Sequence, residues 1–334
     1  MFKQPAQSRF SGSLILLFLV AGCAENPLAA TPRTIEPARP ADSPPASQNP
    51  AGALRPLACD AMTAMFDGGT HQLVVLCPSS IAVFGAPQVP PRVIELRTRA
   101  TALTGDDHGT VYLAVRGGYL VLHLAGGDPE SVGVADAATA DFTAIARRAD
   151  GKLELGSADG AVYTVSSGVV ENRNKIFSRV DAVAAQGNTT VVLDRGQTSV
   201  TTIGADGHVE QALRAGEGAT TLAADPRGRV LVADTRGGQL LVYGIGPLIL
   251  RQAYPVRQAP YGLAGSRDLA WISQTASNVV IGYDLSTGIP VEKVRYPTVQ
   301  QPNTLAFDEA SDTLYVVSGS GAGVQVIEHA AGKP

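Results

Sequence analysis

The chain has 334 residues, 45% of them hydrophobic, with 36 glycines, 22 prolines and a formal charge of −4. That length supports a large core, and large all-β folds of this size often form one domain. No basic patch stands out, which argues against a nucleic-acid partner held through its phosphates.

The first 22 residues read as a targeting segment. Lys3 and Arg9 give a basic start, and residues 14–21 form a short apolar run. A bilayer span needs roughly 20 apolar residues, so this run suits a signal-peptide core instead. It ends in Val20-Ala21-Gly22-Cys23. That sequence resembles the bacterial lipobox, in which cleavage precedes the Cys and the thiol carries a diacylglycerol. The resemblance implies lipidation at Cys23 and a protein held on the extracytoplasmic side of the cell membrane. Loss of Lys3 and Arg9, with no acid lost, would take the charge from −4 to −6.

Residues 23–53 follow as a lipidated Cys and a Pro/Ala-rich stretch, with seven prolines between 24 and 53. Such composition cannot hold a sheet ladder and has little to bury. It is expected to be a disordered or polyproline-like tether, reaching up to roughly 90 Å at about 3.1 Å per residue.

Residues 54–334 read as strand throughout. Short runs rich in Val, Leu and Thr are broken by Gly, Asp and Asn. Examples are Gln72–Leu76 with Ser80–Phe84, and Arg229–Ala233 with Gln239–Tyr243. Near the start, Cys59 and Cys77 are the two cysteines left after Cys23. An even pair in an exported chain suggests a disulfide, with two buried free thiols as the alternative. Residues 60–66 and 70–76 look like strands about the turn Asp67-Gly68-Gly69. The midpoint of 59 and 77 falls on that turn, so the two sulfurs are expected to face each other across the hairpin.

A triplet of polar, small and aliphatic residues recurs seven times. Its aliphatic member is Met65, Leu103, Ile145, Val183, Leu222, Leu263 and Leu305, in steps of 38, 42, 38, 39, 41 and 42. A period near forty with about four short strands per unit predicts a seven-bladed β-propeller of four-stranded antiparallel blades. One such sheet cannot hide both faces alone, whereas a ring of seven buries each on its neighbours. Residues 54–58 are placed to supply the outer strand of the last blade and so close the ring. Pro56 is tolerable there because the strand lies at an edge.

Units six and seven resemble the bacterial YVTN-type propeller repeat, through Pro260–Ala264, Asn278–Gly288 and Asp312–Val317. Unit five, Asp225–Asp234, resembles an NHL-type repeat. Lipobox, Pro-rich segment and propeller together look like the mycobacterial conserved lipoproteins of the LppL type. That resemblance implies fold and surface location, not an activity.

Candidate chemistry is sparse. Two positions before each aliphatic anchor stand Thr63, Thr101, Thr143, Asp181, Thr220, Tyr261 and Asn303. All can hydrogen-bond, and a propeller would bring them to one mouth of its axial channel. They form either a ligand-binding ring or a set of partners for loop backbone and water. Asp181 and Tyr261 break the Thr pattern and are the first choices for a ligand contact. Asp106-Asp107-His108 reads as turn chemistry rather than a metal site, and Arg147-Arg148 as a solvated turn tip. Gly156–Tyr163 resembles one quinoprotein repeat without its usual Trp, and Trp271 reads as core. No metal and no cofactor is called for, and no catalytic residue.

The expected function is a lipid-anchored binding or scaffold module. The face made by one set of inter-strand loops would meet an envelope protein, peptide or glycan. The rival is a propeller hydrolase or lactonase with a channel-mouth metal, using Asp181 and Asn303 among its ligands. Such sites hold Ca²⁺ through several oxygen donors, and only one ring residue is a carboxylate.

Overall fold

The computed structural model describes residue 1 and residues 34–332. The leader expected over 1–22 and the Cys23 site therefore lie outside the described residues, residue 1 apart. Among the described residues all regular structure is strand.

β1 (Ala53–Arg55) comes first and stands apart in sequence from its sheet. Blade 1 is β2 (Thr63–Asp67), β3 (Gln72–Leu76), β4 (Ser80–Phe84) and β5 (Arg92–Glu95). Blade 2 is β6 (Ala100–Gly105), β7 (Thr110–Val115), β8 (Gly118–His123) and β9 (Glu130–Gly133). Blade 3 is β10 (Phe142–Arg147), β11 (Leu153–Ser157), β12 (Ala161–Ser166) and β13 (Val169–Lys175). Blade 4 is β14 (Ala182–Gln186), β15 (Thr189–Asp194), β16 (Ser199–Ile203) and β17 (Val209–Arg214). Blade 5 is β18 (Ala219–Ala224), β19 (Arg229–Asp234), β20 (Gln239–Ile245) and β21 (Leu248–Pro255). Blade 6 is β22 (Pro260–Gly265), β23 (Ala270–Gln274), β24 (Val279–Asp284) and β25 (Val291–Pro297). Blade 7 holds β26 (Pro302–Asp308), β27 (Thr313–Ser318) and β28 (Val324–Ile327), and β1 completes it.

This is the predicted propeller. Each blade is a four-stranded antiparallel sheet, and the first strands β2, β6, β10, β14, β18, β22 and β26 touch in sequence around a closed ring. The core sits between blades. Val74 and Leu76 of blade 1 pack with Leu113 and Leu122 of blade 2, and Trp271 of blade 6 packs with Leu314 and Val316 of blade 7. Trp271 is fully buried, as expected. Burying a Leu or Val side chain contributes about 1.5–3 kcal/mol. The small middle residue of the triplet has a steric cause. A Cβ at Gly262 would lie 2.8 Å from Ser273 Oγ and 3.0 Å from the Asn303 carbonyl oxygen of the next blade.

Closure follows the expected route, with a shorter strand. β1 pairs with β28 as Ala53 to Val326, Leu54 to Gln325 and Arg55 to Val324. The strand stops at Arg55 rather than Ala58, because Pro56 has no N–H to continue the ladder.

Cys59 and Cys77 form a disulfide, Cα to Cα 6.0 Å. The pairing is as expected, but the hairpin register is not its cause. β2 pairs Thr63 with Leu76, so Met62 and not Cys59 would lie across from Cys77. Cys59 instead lies in the loop from β1 to β2, and the bond ties this ring-closing loop to the turn after β3. Leu57 and Ala61 pack there against Val317 and Val324 of blade 7 and Val75 of blade 1.

Candidate functional site: the axial cavity and its upper mouth

The second-to-third-strand turns and the inter-blade loops share one end of the ring, called here the upper face. The first strands line an axial cavity of about 450 Å³. All seven aliphatic anchors border it: Met65, Leu103, Ile145, Val183, Leu222, Leu263 and Leu305. All seven also join the clusters between blades, so each fills a wedge and faces the axis. At the lower end Arg147 lines the cavity, its Nε buried without a partner.

The polar ring at the upper end has a backbone origin. In blades 2, 3, 5, 6 and 7 the register of the first pair slips at this residue, so Thr101, Thr143, Thr220, Tyr261 and Asn303 sit at β-bulges. A bulge leaves ladder groups unpaired and bends the strand. Threonine repairs the defect. Thr101 Oγ1 donates to the Phe142 carbonyl of the next blade at 2.6 Å, and Thr143 Oγ1 donates to the Val180 carbonyl at 2.5 Å. Thr220 Oγ1 lies 2.5 Å from Thr235 Oγ1, which donates to Pro260 O. Of the seven predicted residues, Thr63, Tyr261 and Asn303 line the cavity itself.

The residues that depart from threonine lie on blades 4, 6 and 7 and have other surroundings. Asp181 accepts from Arg179 Nε at 2.7 Å and from the Arg195 N–H at 3.1 Å. Asn303 Oδ1 accepts from Gln301 Nε2 at 2.9 Å. Burial pushes the Tyr261 phenol up; Arg195 opposes the shift and Asp181 adds to it.

Above these residues lies a segment that sequence reading assigned to the free tether. Residues 34–44 carry no regular strand, yet they run over the upper face from blade 4 to blade 7. Ile35 N–H donates to Gly196 O at 2.7 Å, and Arg195 Nη2 donates to Ala38 O. Arg236 Nη2 donates to Glu36 O at 2.7 Å. Gln301 Nε2 donates to Ala41 O at 3.0 Å, and Asn278 Nδ2 to Pro44 O at 2.7 Å. Ala38 is buried, while Glu36, Arg39 and Asp42 are exposed. Disorder is therefore not the state of 34–44. The expectation failed because proline content speaks only to strand ladders and self-burial, and this segment borrows its partners from the blades. A signal was present: the charged Glu36, Arg39 and Asp42 recur every three residues, and Pro37-Ala38 is repeated at Pro40-Ala41, the period of a polyproline helix.

Other predicted groups resolve into structural roles. Asp106 accepts from the N–H groups of His108 and Thr110 at 2.8 and 2.9 Å, and Asp107 accepts from Gly68 N–H of blade 1 at 2.6 Å. These are turn and blade ties. Arg148 is not a solvated tip: its side chain is 1% exposed and ion-paired with Glu154 and Asp150. The lower-face turn of blade 4 covers it, through Ala205 O at 2.9 Å. Among the described residues no three His, Cys, Asp or Glu gather as a metal site.

In sequence the chain matches no family model and no curated protein. In structure it is similar to many propellers. One chain of a mitotic checkpoint complex aligns with TM-score 0.71 at 11% identity, over 87% of this chain and 98% of that one. Streptogramin B lyase gives 0.67 at 10%, over 84% and 97%. The RRP9 WD40 repeats give 0.69 at 14%, over 85% and 98%. At these identities the likeness defines the class, a seven-bladed β-propeller, and nothing finer.

Proposed function

We propose that this chain is a lipid-anchored propeller on the extracytoplasmic side of the cell membrane, working as a binding or scaffold module. Its upper face meets an envelope protein, peptide or glycan. The observation that carries this reading is the array of side-chain donors on the upper turns, Arg195, Arg236, Asn278 and Gln301, all directed at an extended piece of polypeptide. WD40 repeats among the similar folds are consistent with a scaffold. Cys23 after its apolar run supports the anchor, and the resemblance to LppL-type lipoproteins supports the location. The hydrolase alternative needs several oxygen donors at the mouth. Asp181 is already engaged by Arg179 and Arg195, and Asn303 by Gln301.

Site-specific photo-crosslinking in intact envelopes tests the reading. A crosslinker at Glu217, exposed in the upper-face loop between blades 4 and 5, should trap a defined partner that one at Arg267, in a lower-face turn, does not. Equal trapping from both faces, or Ca²⁺-dependent turnover of an ester or lactone, would overturn it.

A further inference from the structure

We infer that the upper face of blades 4–7 is a docking site for an extended, proline-rich peptide, and that residues 34–44 of the chain are its resident, exchangeable occupant. This deepens the binding-module reading and rests on it.

The contacts define what the site reads. Five side-chain donors take five carbonyls of the segment: Arg236 on Glu36, Arg195 on Ala38, Gln301 on Ala41, Gln300 on Ser43 and Asn278 on Pro44. The segment's N–H groups that are used, Ile35, Ala41 and Ser43, meet Gly196 O, Thr275 Oγ1 and Gln301 Oε1. One side chain of the segment takes part: the Ser43 hydroxyl donates to Thr275 O at 2.6 Å and accepts from the Gln301 N–H at 3.0 Å. Recognition is thus of the main chain. A polyproline helix suits it, because such a helix spends no carbonyls on itself and is ordered before binding.

Burial agrees. Ala38 is buried, Ile35, Pro37, Pro40, Ala41 and Ser43 are half-buried, and the charged Glu36, Arg39 and Asp42, spaced by three, stand in solvent. The site asks for a small residue at the buried Ala38 position, which packs on Gly218, and is indifferent to the outer charges. It also explains the irregular ring. Asp181 fixes the Arg195 backbone and Asn303 fixes the Gln301 amide, so the two positions that abandon threonine on blades 4 and 7 position the two reading side chains.

Exchange is built in. The segment has one buried residue, and residues 44–49, which lead from it to β1, are exposed. Its hold depends on being tethered, which gives a short linker an effective concentration in the millimolar range. Cutting that link converts the contact to an ordinary peptide complex.

The test uses the full chain with a recognition sequence for a specific protease inserted between Gln48 and Asn49. The probe is a fluorescent peptide of residues 34–45. After cleavage the probe should displace the severed segment and bind with micromolar affinity, and to the uncut chain about 100-fold more weakly. Arg195→Ala and Gln301→Ala should each cost about tenfold in probe affinity, and Asp181→Asn and Asn303→Ala about threefold. Arg236→Ala, at an exposed turn, gives the same reading without risk to folding. A probe with Glu36, Arg39 and Asp42 replaced by Ala should bind within about threefold, and one with Pro37 and Pro40 replaced by Gly at least tenfold worse. A severed segment that stays bound against excess probe makes the contact a fixed structural element and overturns the inference. So does a probe that binds cut and uncut chains alike, or that tolerates Gly for Pro. None of these results touches the crosslinking result, so the scaffold reading stands or falls separately.

Discussion

Removing the Arg148 guanidinium while leaving Glu154 in place should destabilise the propeller by about 3–5 kcal/mol, the cost of an uncompensated buried charge. Glu154 is fully buried in blade 3 and has Arg148 Nη1 at 3.3 Å and Thr164 Oγ1 at 3.1 Å. Burial already pushes the Glu154 carboxyl up, and its bonds to Arg148 and Thr164 hold that shift back. In Arg148→Met the restraint goes and the shift grows. A domain of this size loses about 2–4 °C in Tm per kcal/mol, so the drop at pH 7 should be roughly 6–20 °C by calorimetry. The sign with pH is fixed. A carboxyl whose folded pKa is raised carries stability at low pH that is lost as pH rises through that pKa. Acidification should therefore narrow the gap between Arg148→Met and the parent chain. The double change Arg148→Met with Glu154→Leu should recover most of the loss, since it removes the charge with its partner. A Tm within 2 °C of the parent at pH 7, or a gap that widens on acidification, would refute the reasoning.

Thr101→Val should lose about 1–2 kcal/mol by leaving the Phe142 carbonyl short of a donor, measured by urea unfolding. Ser273→Ala should lose somewhat more, because its hydroxyl both donates to Pro302 O and accepts from the Gly262 N–H; the two effects should add. Cys59→Ser with Cys77→Ser should cost about 3 kcal/mol by freeing the ring-closing loop, read from the urea midpoint against the parent. Burial, aided by Asp234 at Tyr243 and by Glu292 at Tyr283, pushes both phenols up to about 12, so ultraviolet titration should show them ionising last, as stability falls with rising pH. Cys23→Ser should move the protein from the membrane to the soluble fraction or leave it as uncleaved precursor, read by fractionation and immunoblot.

The repeat made the fold legible because one physical demand, burial of two sheet faces, is imposed seven times at nearly equal spacing. Closure was legible for the same reason: among the described residues blade 7 has no outer strand of its own after β28, residues 54–58 stand at the matching offset, and β1 at 53–55 takes that place. What escaped was whatever depends on contact between blades. The Cys59–Cys77 pair was found through a hairpin symmetry that β2 and β3 do not have, and its true partner surface is the loop from blade 7. Arg148 looked solvated because a turn position says nothing of the next blade's turn closing over it. The polar ring was visible as a column of residues, but the bulges that demand it were not, since a one-residue slip in register leaves no mark in the sequence.

The docked segment also changes what a lipid at Cys23 would do. A free tether to residue 53 would leave the propeller able to turn and to stand roughly 90 Å from the bilayer. With Ile35 bonded to Gly196 on blade 4, eleven residues separate Cys23 from that bond. Fully extended, they span at most about 40 Å. An anchor at Cys23 would then pull on the upper face and not on the rim at β1, turning that face toward the membrane. Release of residues 34–44 would return the longer reach and open the same face in one step. Occupancy of the site by a trans peptide and the height of the propeller above the bilayer would thus be two readings of a single equilibrium, with the segment bound or free.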